Sequence, residues 1–405
     1  MGNIVSKKYH KENWQIKKLN DVSKKISLNK LKIKQRDYLP NGLFPVVDQG
    51  QDLIGGYHND ESLLISEEPP YVVFGDHTKV KKFIPFKFIP GADGVKVLKA
   101  KENILPKFLY YLLFTIKIED KGYARHFQLL EKENFLIPED LETQQTIVSK
   151  IEELFSELDQ GIADLKTAQA QLKVYRQSVL KHAFEGKLTN KNVKDGELPQ
   201  GWEIVKTIDV IKIINNGYTP KKEFLSEGSG EIPFIKVYNL NFNGTLNFKK
   251  NPTFITKVIH EKDLKRSICI PGDVLINIVG PPLGKVSIVT DQFPEWNINQ
   301  AIVMFRPNDN VISKYIAYYM QNAFTINWLE ATSKATAGQW NVKVSTCREI
   351  PFPYCSVKEQ HQIVQEIESR LSVADKMEES IQESLQKAEA LRQSILKKAF
   401  SGELV

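Results

Sequence analysis

Arg176-Gln177-Ser178-Val179-Leu180-Lys181-His182-Ala183-Phe184-Glu185-Gly186-Lys187-Leu188 returns, little changed, as Arg392-Gln393-Ser394-Ile395-Leu396-Lys397-Lys398-Ala399-Phe400-Ser401-Gly402-Glu403-Leu404. The offset is 216 (392 − 176), and it holds backwards without a gap: Ile147-Val148, Ile151-Glu152, Ser156 and Asp159 match Ile363-Val364, Ile367-Glu368, Ser372 and Asp375. From Gln144 to Leu188, 16 of 45 positions are identical, where composition alone gives roughly 3. The chain is therefore a duplication, and its fold must be read as two copies of one unit. Ahead of each repeat, Trp14-Gln15-Ile16 with Asp21-Val22 lines up with Trp202-Glu203-Ile204 with Asp209-Val210, at an offset of 188 (202 − 14). The order is globular, helical, globular, helical, with expected boundaries at residues 1–143, 144–189, 190–356 and 357–405. The difference in offsets (216 − 188 = 28) gives the second globular segment 28 extra residues.

Within the first repeat, apolar residues fall three or four apart at Ile147, Ile151, Leu154, Leu158, Ile162, Leu165, Ala168, Leu172, Tyr175, Val179 and Ala183. The second repeat gives Ile363, Ile367, Leu371, Ala374, Ile381, Leu385, Ala388, Leu391, Ile395 and Ala399. Each is a single apolar seam along one helix, free of proline and, apart from Gly161, of interior glycine. About 40 residues at 1.5 Å rise make a rod of roughly 60 Å. Both end in Ala-Phe-x-Gly-x-Leu, which places Gly186 and Gly402 as C-caps. A seam needs a partner. The two copies are expected to pair antiparallel about a pseudo-two-fold axis, with packing on the globular neighbour or on a second molecule as the alternative.

Composition bounds the class. A length of 405 residues with 41% hydrophobic content allows two or three folded domains. No run of 18 apolar residues and no apolar signal segment stands out, so no membrane partner is expected. Cys269, Cys347 and Cys355 form no CxxC pair, which suits buried thiols in a reducing cytoplasm. Met1-Gly2-Asn3-Ile4-Val5-Ser6 fits a myristoylation pattern, but so loose a pattern usually arises by chance. Residues 7–36 hold eleven Lys or Arg against Glu12 and Asp21; such an arm can track phosphates, although a solvated amphipathic face is the commoner explanation.

The globular segments read as strands and turns. In the second, strands are expected over Ile232-Pro233-Phe234-Ile235-Lys236-Val237, residues 271–280, residues 284–289 and residues 297–306, followed by one helix over residues 313–329. The first follows the same order in shorter form: residues 44–47, residues 70–79, residues 94–98 and a helix over residues 105–116. Each head is thus α+β, mostly strands with flanking helices.

Several runs carry a resemblance. Asn216-Gly217-Tyr218-Thr219-Pro220, Glu231-Ile232-Pro233-Phe234-Ile235, Gly272-Asp273-Val274-Leu275-Ile276, Gly284-Lys285-Val286 and Asn299-Gln300-Ala301-Ile302 occur in that order. Ile350-Pro351-Phe352-Pro353 then precedes Glu359-Gln360 and Ile363-Val364, while the first head has Phe74-Gly75-Asp76-His77-Thr78-Lys79. Each run alone is weak, but their duplicated order over essentially the whole chain resembles the specificity subunit of type I restriction-modification systems. The resemblance implies two target recognition domains, each reading one half of a split, asymmetric double-stranded DNA site, separated by two antiparallel helices. It implies docking of two methyltransferase subunits, with endonuclease/translocase subunits joining that core. The chain itself would do no chemistry. S-adenosylmethionine, ATP and Mg²⁺ would belong to those partners, and no cofactor to this chain.

The missing motifs agree. Asn251-Pro252-Thr253-Phe254 lacks the second proline of an amino-methyltransferase motif. Gly280-Pro281-Pro282-Leu283-Gly284-Lys285 is one residue short of a phosphate-binding loop and is followed by Val286, which cannot ligate Mg²⁺. His77, His126 and His182 show no metal-ligand spacing, and Asp76-His77 reads as a turn or base-reading loop rather than an acid/base pair.

DNA reading needs cations for phosphates and amides or guanidinium groups for base edges. In the first head the candidates are His77, Thr78, Lys79, Lys81 and Lys82, with Arg125, His126 and Gln128. In the second they are Tyr218, Lys221, Lys222, Lys236, Tyr238, Asn239 and Asn241, with Lys334, Thr336, Gln339, Asn341 and Lys343 after the helix. For each, an ordinary solvated side chain is the alternative, and Trp340 is expected to anchor its loop. Helix pairing and subunit docking are assigned to Ile147, Ile151, Leu158, Leu165, Leu172, Tyr175, Val179 and Phe184 on one helix. On the other they fall to Ile363, Ile367, Ile381, Leu385, Leu391, Ile395 and Phe400. A coiled-coil interaction scaffold and an RNA-binding module stand as rival readings.

Overall fold

The computed structural model describes residues 13–28, 30–91, 94–118, 125–190, 192–336 and 339–404. The expected basic arm therefore lies partly outside the described residues, and the lipidation pattern wholly outside them. The chain forms two compact units: the described residues of Met1–Lys166 with Gln382–Val405, and Thr167–Ile381. Two long helices, Leu141–Phe184 and Val357–Phe400, each contribute one end to either unit. The division thus runs through both helices and not at their ends.

In the first unit, a four-stranded antiparallel sheet is ordered Ser23–Ile26, Val95–Ala100, Tyr71–Gly75, Lys81–Ile84. Tyr71-Val72-Val73-Phe74 is buried on both faces, and the period of two divides it between cores. Val72, Phe74 and Leu98 face a core with Phe108, Leu109, Ile147, Ile151 and Phe400. Tyr71, Val73 and Val97 face a second core with Val47 and Phe88. A three-stranded sheet, Gly56–His58, Phe44–Val47, Ile89–Pro90, includes a parallel pair, Val46 opposite Ile89.

The second unit repeats the plan. Its four-stranded sheet is ordered Ile211–Asn216, Ile302–Pro307, Val274–Asn277, Val286–Ile288. Val274, Ile276, Val303 and Phe305 face a core with Phe184, Tyr315 and Ile363, and Leu275, Ile302 and Met304 face another with Ile235 and Trp296. A parallel pair recurs, Phe234 opposite Asn297. In each unit a two-stranded ribbon leads toward the long helix: Trp14–Lys18 with Asn134–Pro138, and Glu203–Lys206 with Pro351–Tyr354.

Three sequence expectations change. Residues 271–280, expected as one strand, form Val274–Asn277 and Val279–Gly280 in separate sheets. Residues 297–306 are two strands, Trp296–Ile298 and Ile302–Pro307, because Asn299-Gln300-Ala301 carries the chain from one sheet to another. The helix over 313–329 breaks into Ser313–Met320 and Ala323–Ala331, because the Asn322 side chain accepts from the Phe324 amide and starts a new helix.

Both long helices close as expected. Gly186 and Gly402 adopt φ of +74° and +73°. The Lys187 amide donates to the His182 carbonyl and Gly186 to Ala183; Glu403 to Lys398 and Gly402 to Ala399 repeat the pattern. This is a Schellman closure, which needs a residue tolerant of the left-handed region. Within each unit the helices run antiparallel: Arg176 meets Asp375 while Asn190 meets Glu359, and Asp159 meets Arg392 while Ile151 packs in the core that holds Phe400.

Ile147, Ile151, Leu172, Val179, Phe184, Ile363, Ile367, Ile381, Ile395 and Phe400 are buried, each contributing about 2 kcal/mol from apolar burial. Leu158, Leu165 and Leu385 are half-buried. Tyr175 and Leu391, equivalent by the 216 offset, are instead 43% and 49% exposed. The seam passes through their neighbours Arg176 and Arg392, whose side chains are 24% and 28% exposed because each is drawn onto acidic groups of the facing helix. Charge complementarity overrides the apolar register at that turn.

Candidate nucleic-acid interface

The candidates of the first head gather where its strands end. Tyr71–Gly75 finishes at Gly75, opposite Val95, and the Asp76–Lys79 segment crosses the sheet end. Gly75 has no room for a Cβ, which would lie 2.2 Å from the Thr78 hydroxyl oxygen. The Thr78 hydroxyl donates to the Gln49 carbonyl at 2.7 Å, and the His77 amide to Gln49 Oε1 at 3.2 Å. Lys79 turns the chain at φ +60°. Thr78, Arg125 and Gln128 are exposed, and His77 and Lys79 half-buried.

Asp76 joins the two groups of candidates. Its amide donates to the Gly94 carbonyl at 2.7 Å, and its carbonyl accepts from the His126 amide at 2.9 Å. Its carboxylate accepts from the Phe127 amide at 2.8 Å and lies 3.4 Å from Lys96 Nζ. His126 is fully buried with Nδ1 3.0 Å from the same Asp76 carbonyl. That removes its ring from solvent contact and leaves it holding Arg125 and Gln128 beside the 76–79 loop.

Strand alternation separates the two adjacent lysines. Lys81 is half-buried, with Nζ 4.6 Å from the Phe114 ring centroid. Burial pushes its ammonium down to about 8, and Lys79 adds to the shift. Lys82 points to the other face, 4% exposed; it donates to the Asp52 carbonyl and lies 3.7 Å from Asp48. Burial lowers its pKa against the pull of those two aspartates. An ammonium so committed holds the 48–52 loop and has no free face for a phosphate.

In the second head the equivalent sheet end carries the loops after Asn216, Asn277 and Ile235 and before Val286 and Ile302. Gly217 is required where a Cβ would lie 2.0 Å from the Ile298 carbonyl, which presents Tyr218, 59% exposed, beside Lys221 and Lys222, also exposed. Asn239 is fully buried. Its Oδ1 accepts from the Lys236 amide and its Nδ2 donates to the Asn247 and Lys250 carbonyls, so it organises the loop and does not face outward. Tyr238 is half-buried, its hydroxyl donating to the Asn251 carbonyl, with Lys236 Nζ 5.9 Å from its ring.

Asn241 donates to the Thr245 hydroxyl, and its carbonyl accepts from the Val286 amide, bringing Asn241-Phe242 beside Lys285. Lys285 Nζ lies 5.8 Å from the ring of Phe242, which is 54% exposed. Asn277 Nδ2 donates to the Val279 and Pro282 carbonyls and its Oδ1 accepts from the Lys285 amide, so Gly280–Lys285 is a loop clamped by one side chain. The hairpin Lys334–Thr336 with Gln339–Asn341 pairs with Val279–Gly280. Asn341 and Lys343 are exposed and Trp340 packs against the core; the side chains of Lys334, Thr336 and Gln339 lie outside the described residues.

Sequence reasoning did not single out Gln49, Phe242, Asn277 and Lys285. An Asn at a strand end ahead of a Gly- and Pro-containing loop is the signal that finds Asn277. Among the described residues no cluster of His, Cys, Asp and Glu could hold a metal ion, and no helix is long and apolar enough to cross a membrane. What the two ends offer is a set of cations, amides and exposed rings on loops anchored by rigid strands, the equipment of nucleic-acid recognition.

Residues 11–166 and 199–387 match the type I restriction modification DNA specificity domain, and the chain belongs to that family. It is 28% identical over 300 residues to the Escherichia coli type I restriction enzyme EcoBI specificity subunit, covering 69% of this chain and 61% of that one. It is 24% identical to the Escherichia coli EcoR124I/EcoR124II specificity subunit over 93% of this chain and 90% of that one. Two solved structures share the fold, each at 18% identity. One, from a study of complex assembly and conformational transition in a type I restriction-modification system, has a TM-score of 0.72 over 96% of this chain and 98% of that one. The other, the HsdS subunit from Thermoanaerobacter tengcongensis, has a TM-score of 0.55 over 97% of both chains. The family membership favours neither the scaffold nor the RNA-binding reading.

Proposed function

We propose that this chain reads double-stranded DNA as the specificity subunit of a type I restriction-modification complex. Each head reads one half of a bipartite, asymmetric site and directs adenine-N6 methylation and restriction by partner subunits. The observation that carries this reading is a shared backbone frame at the loop-bearing end of both heads. In the first, Gly75 donates to Val80, Asp76 to Gly94 and His126 to Asp76; in the second, Asn277 donates to Lys285, Ile278 to Ala301 and Val342 to Ile278. One scaffold thus presents two different sets of side chains, as expected if each head reads its own sequence. Lysines at the rim contribute salt-dependent phosphate binding, while amides and Arg125 supply base-edge bonds.

The partners in this reading are two methyltransferase subunits and the endonuclease/translocase subunits, in the prokaryotic cytoplasm. S-adenosylmethionine, ATP and Mg²⁺ act on those subunits, and this chain is non-catalytic. Methylome sequencing of cells with and without the gene tests it. Loss of N6-methyladenine from one bipartite motif is expected. An unchanged methylome in cells that express an active methyltransferase partner overturns it.

A further inference from the structure

The shared frame carries different chemistry behind its loops. Pairing Phe74 with Lys96 and Ile276 with Val303 places Lys96 and Val303 at equivalent positions. The hydrogen bonds of the frame likewise equate Asp76 with Ile278 and His126 with Val342. The second head therefore fills these three positions with Ile278, Val303 and Val342, all buried in one apolar cluster. The first fills them with Asp76, Lys96 and His126, a carboxylate 3.4 Å from an ammonium and bonded to the amide after a buried imidazole.

An apolar plug suffices to build the frame, as the second head demonstrates. The polar trio is the costlier solution: it buries a carboxylate that must be compensated, and His126 Nε2 has no hydrogen-bond partner among the described residues. What it adds is a bond the apolar plug cannot make. Asp76 Oδ1 accepts from the Phe127 amide at 2.8 Å, at the start of the Phe127–Lys132 helix. This ties the segment bearing Arg125 and Gln128 to the His77–Lys79 loop through a side chain as well as through the backbone.

We infer that Asp76 is a positioning residue for base discrimination by the first head, setting the Arg125–Gln128 segment against the His77–Lys79 loop without contacting DNA itself. Recognition by the second head, which lacks such a bond, is independent of it. The inference rests on the proposed function. In a type I complex, Asp76→Ala is expected to lose discrimination only at the half-site read by the first head.

The test uses the full chain purified with its methyltransferase partner and synthetic duplexes carrying the methylome-defined site, intact or with base changes confined to one half. Wild-type protein that discriminates neither half overturns the proposed function itself, and the inference with it. Given wild-type discrimination of both halves, Asp76→Ala is expected to reduce the preference at one half at least tenfold. The other half, non-specific affinity and the salt slope stay unchanged. Because Asp76→Ala could unfold the head, a second variant carries the apolar trio of the second head: Asp76→Ile, Lys96→Val and His126→Val together. It is expected to melt within a few degrees of wild type and still to lose discrimination at the same half. Full discrimination in the trio variant, or equal losses at both halves in either variant, overturns the inference and leaves Asp76 a structural residue.

Discussion

Arg176 donates to Asp375 across 2.6 Å, and the equivalent pair, with the helices exchanged, joins Arg392 to Asp159. The 216 offset converts one pair into the other, since 176 + 216 = 392 and 375 − 216 = 159. The duplication kept the cross-helix ion pair twice, once within each unit. Arg176 also reaches Glu378 at 2.9 Å, and the Arg392 guanidinium stacks 4.5 Å from the Phe155 centroid. Exposed pairs contribute about 0.2–1 kcal/mol each. Arg176→Met is therefore expected to cost about 1 kcal/mol in urea unfolding, and the exchange Arg176→Asp with Asp375→Arg to recover much of it. No recovery would show that the arginine acts through its methylenes and not through its charge.

Gln144 and Gln360 occupy equivalent, fully buried places at the helix starts. Gln144 accepts from the Leu105 amide and donates to the Asn103 and Pro138 carbonyls; Gln360 accepts from Ile312 and donates to Asn310 and Cys355. Replacing either by Leu strands three backbone groups, at about 1–3 kcal/mol for each left unsatisfied. A loss of about 3 kcal/mol per site in denaturant unfolding is expected, and a change below about 1 kcal/mol would contradict the clamp.

Gly161 interrupts the first long helix with nothing within 4 Å of a built Cβ. Gly161→Ala is expected to raise stability by about 1 kcal/mol. Gly186→Ala should do the opposite, since its φ is +74° and its Cβ would meet Pro199 at 2.1 Å. Thermal melting distinguishes the two directions.

Lys81 introduces a pH dependence. Its folded pKa of about 8 lies below the usual 10.5, so its charge is present below pH 8 and lost above it, while ordinary lysines stay charged. Duplex affinity at low salt should therefore fall between pH 7 and 9, and Lys81→Met should flatten that profile. For folding the sign is reversed: the unfolded chain binds the extra proton between pH 8 and 10.5, so this group favours the folded state more as pH rises through that window.

Asp273, 1% exposed, holds Arg306 through two bonds of 2.9 and 2.7 Å. Asp273→Asn leaves the partly buried guanidinium without its counter-charge, for which about 3–5 kcal/mol is typical. A denaturation midpoint unchanged from wild type would refute this ion pair as a structural element of the second head.

The long helices, their caps and the doubled order of the heads were legible because they depend on local periods: 3.6 for a seam, two for a strand, glycine for a left-handed turn. Where a second interaction competed, the local pattern misled. Tyr175 and Leu391 fit the apolar spacing, yet acidic groups on the facing helix drew Arg176 and Arg392 into the seam instead. Asn299-Gln300-Ala301 looked like strand because nothing local reveals that the chain changes sheets there.

By itself the sequence determined that two copies of one α+β unit exist, that each ends in a capped helix, and that cations and amides cluster in matching loops. Only tertiary structure decided which of those polar groups face outward. Lys81 and Lys82 are neighbours in the chain, but strand alternation leaves one half-exposed and ties the other to Asp48. Asp76 and His126, 50 residues apart, meet because the Phe127–Lys132 helix packs on the core beneath Tyr71–Gly75, with Phe127 against Phe74. Register is set by pairing between distant segments, and burial by what covers a side chain once those segments have met; neither is a property of any local stretch of sequence.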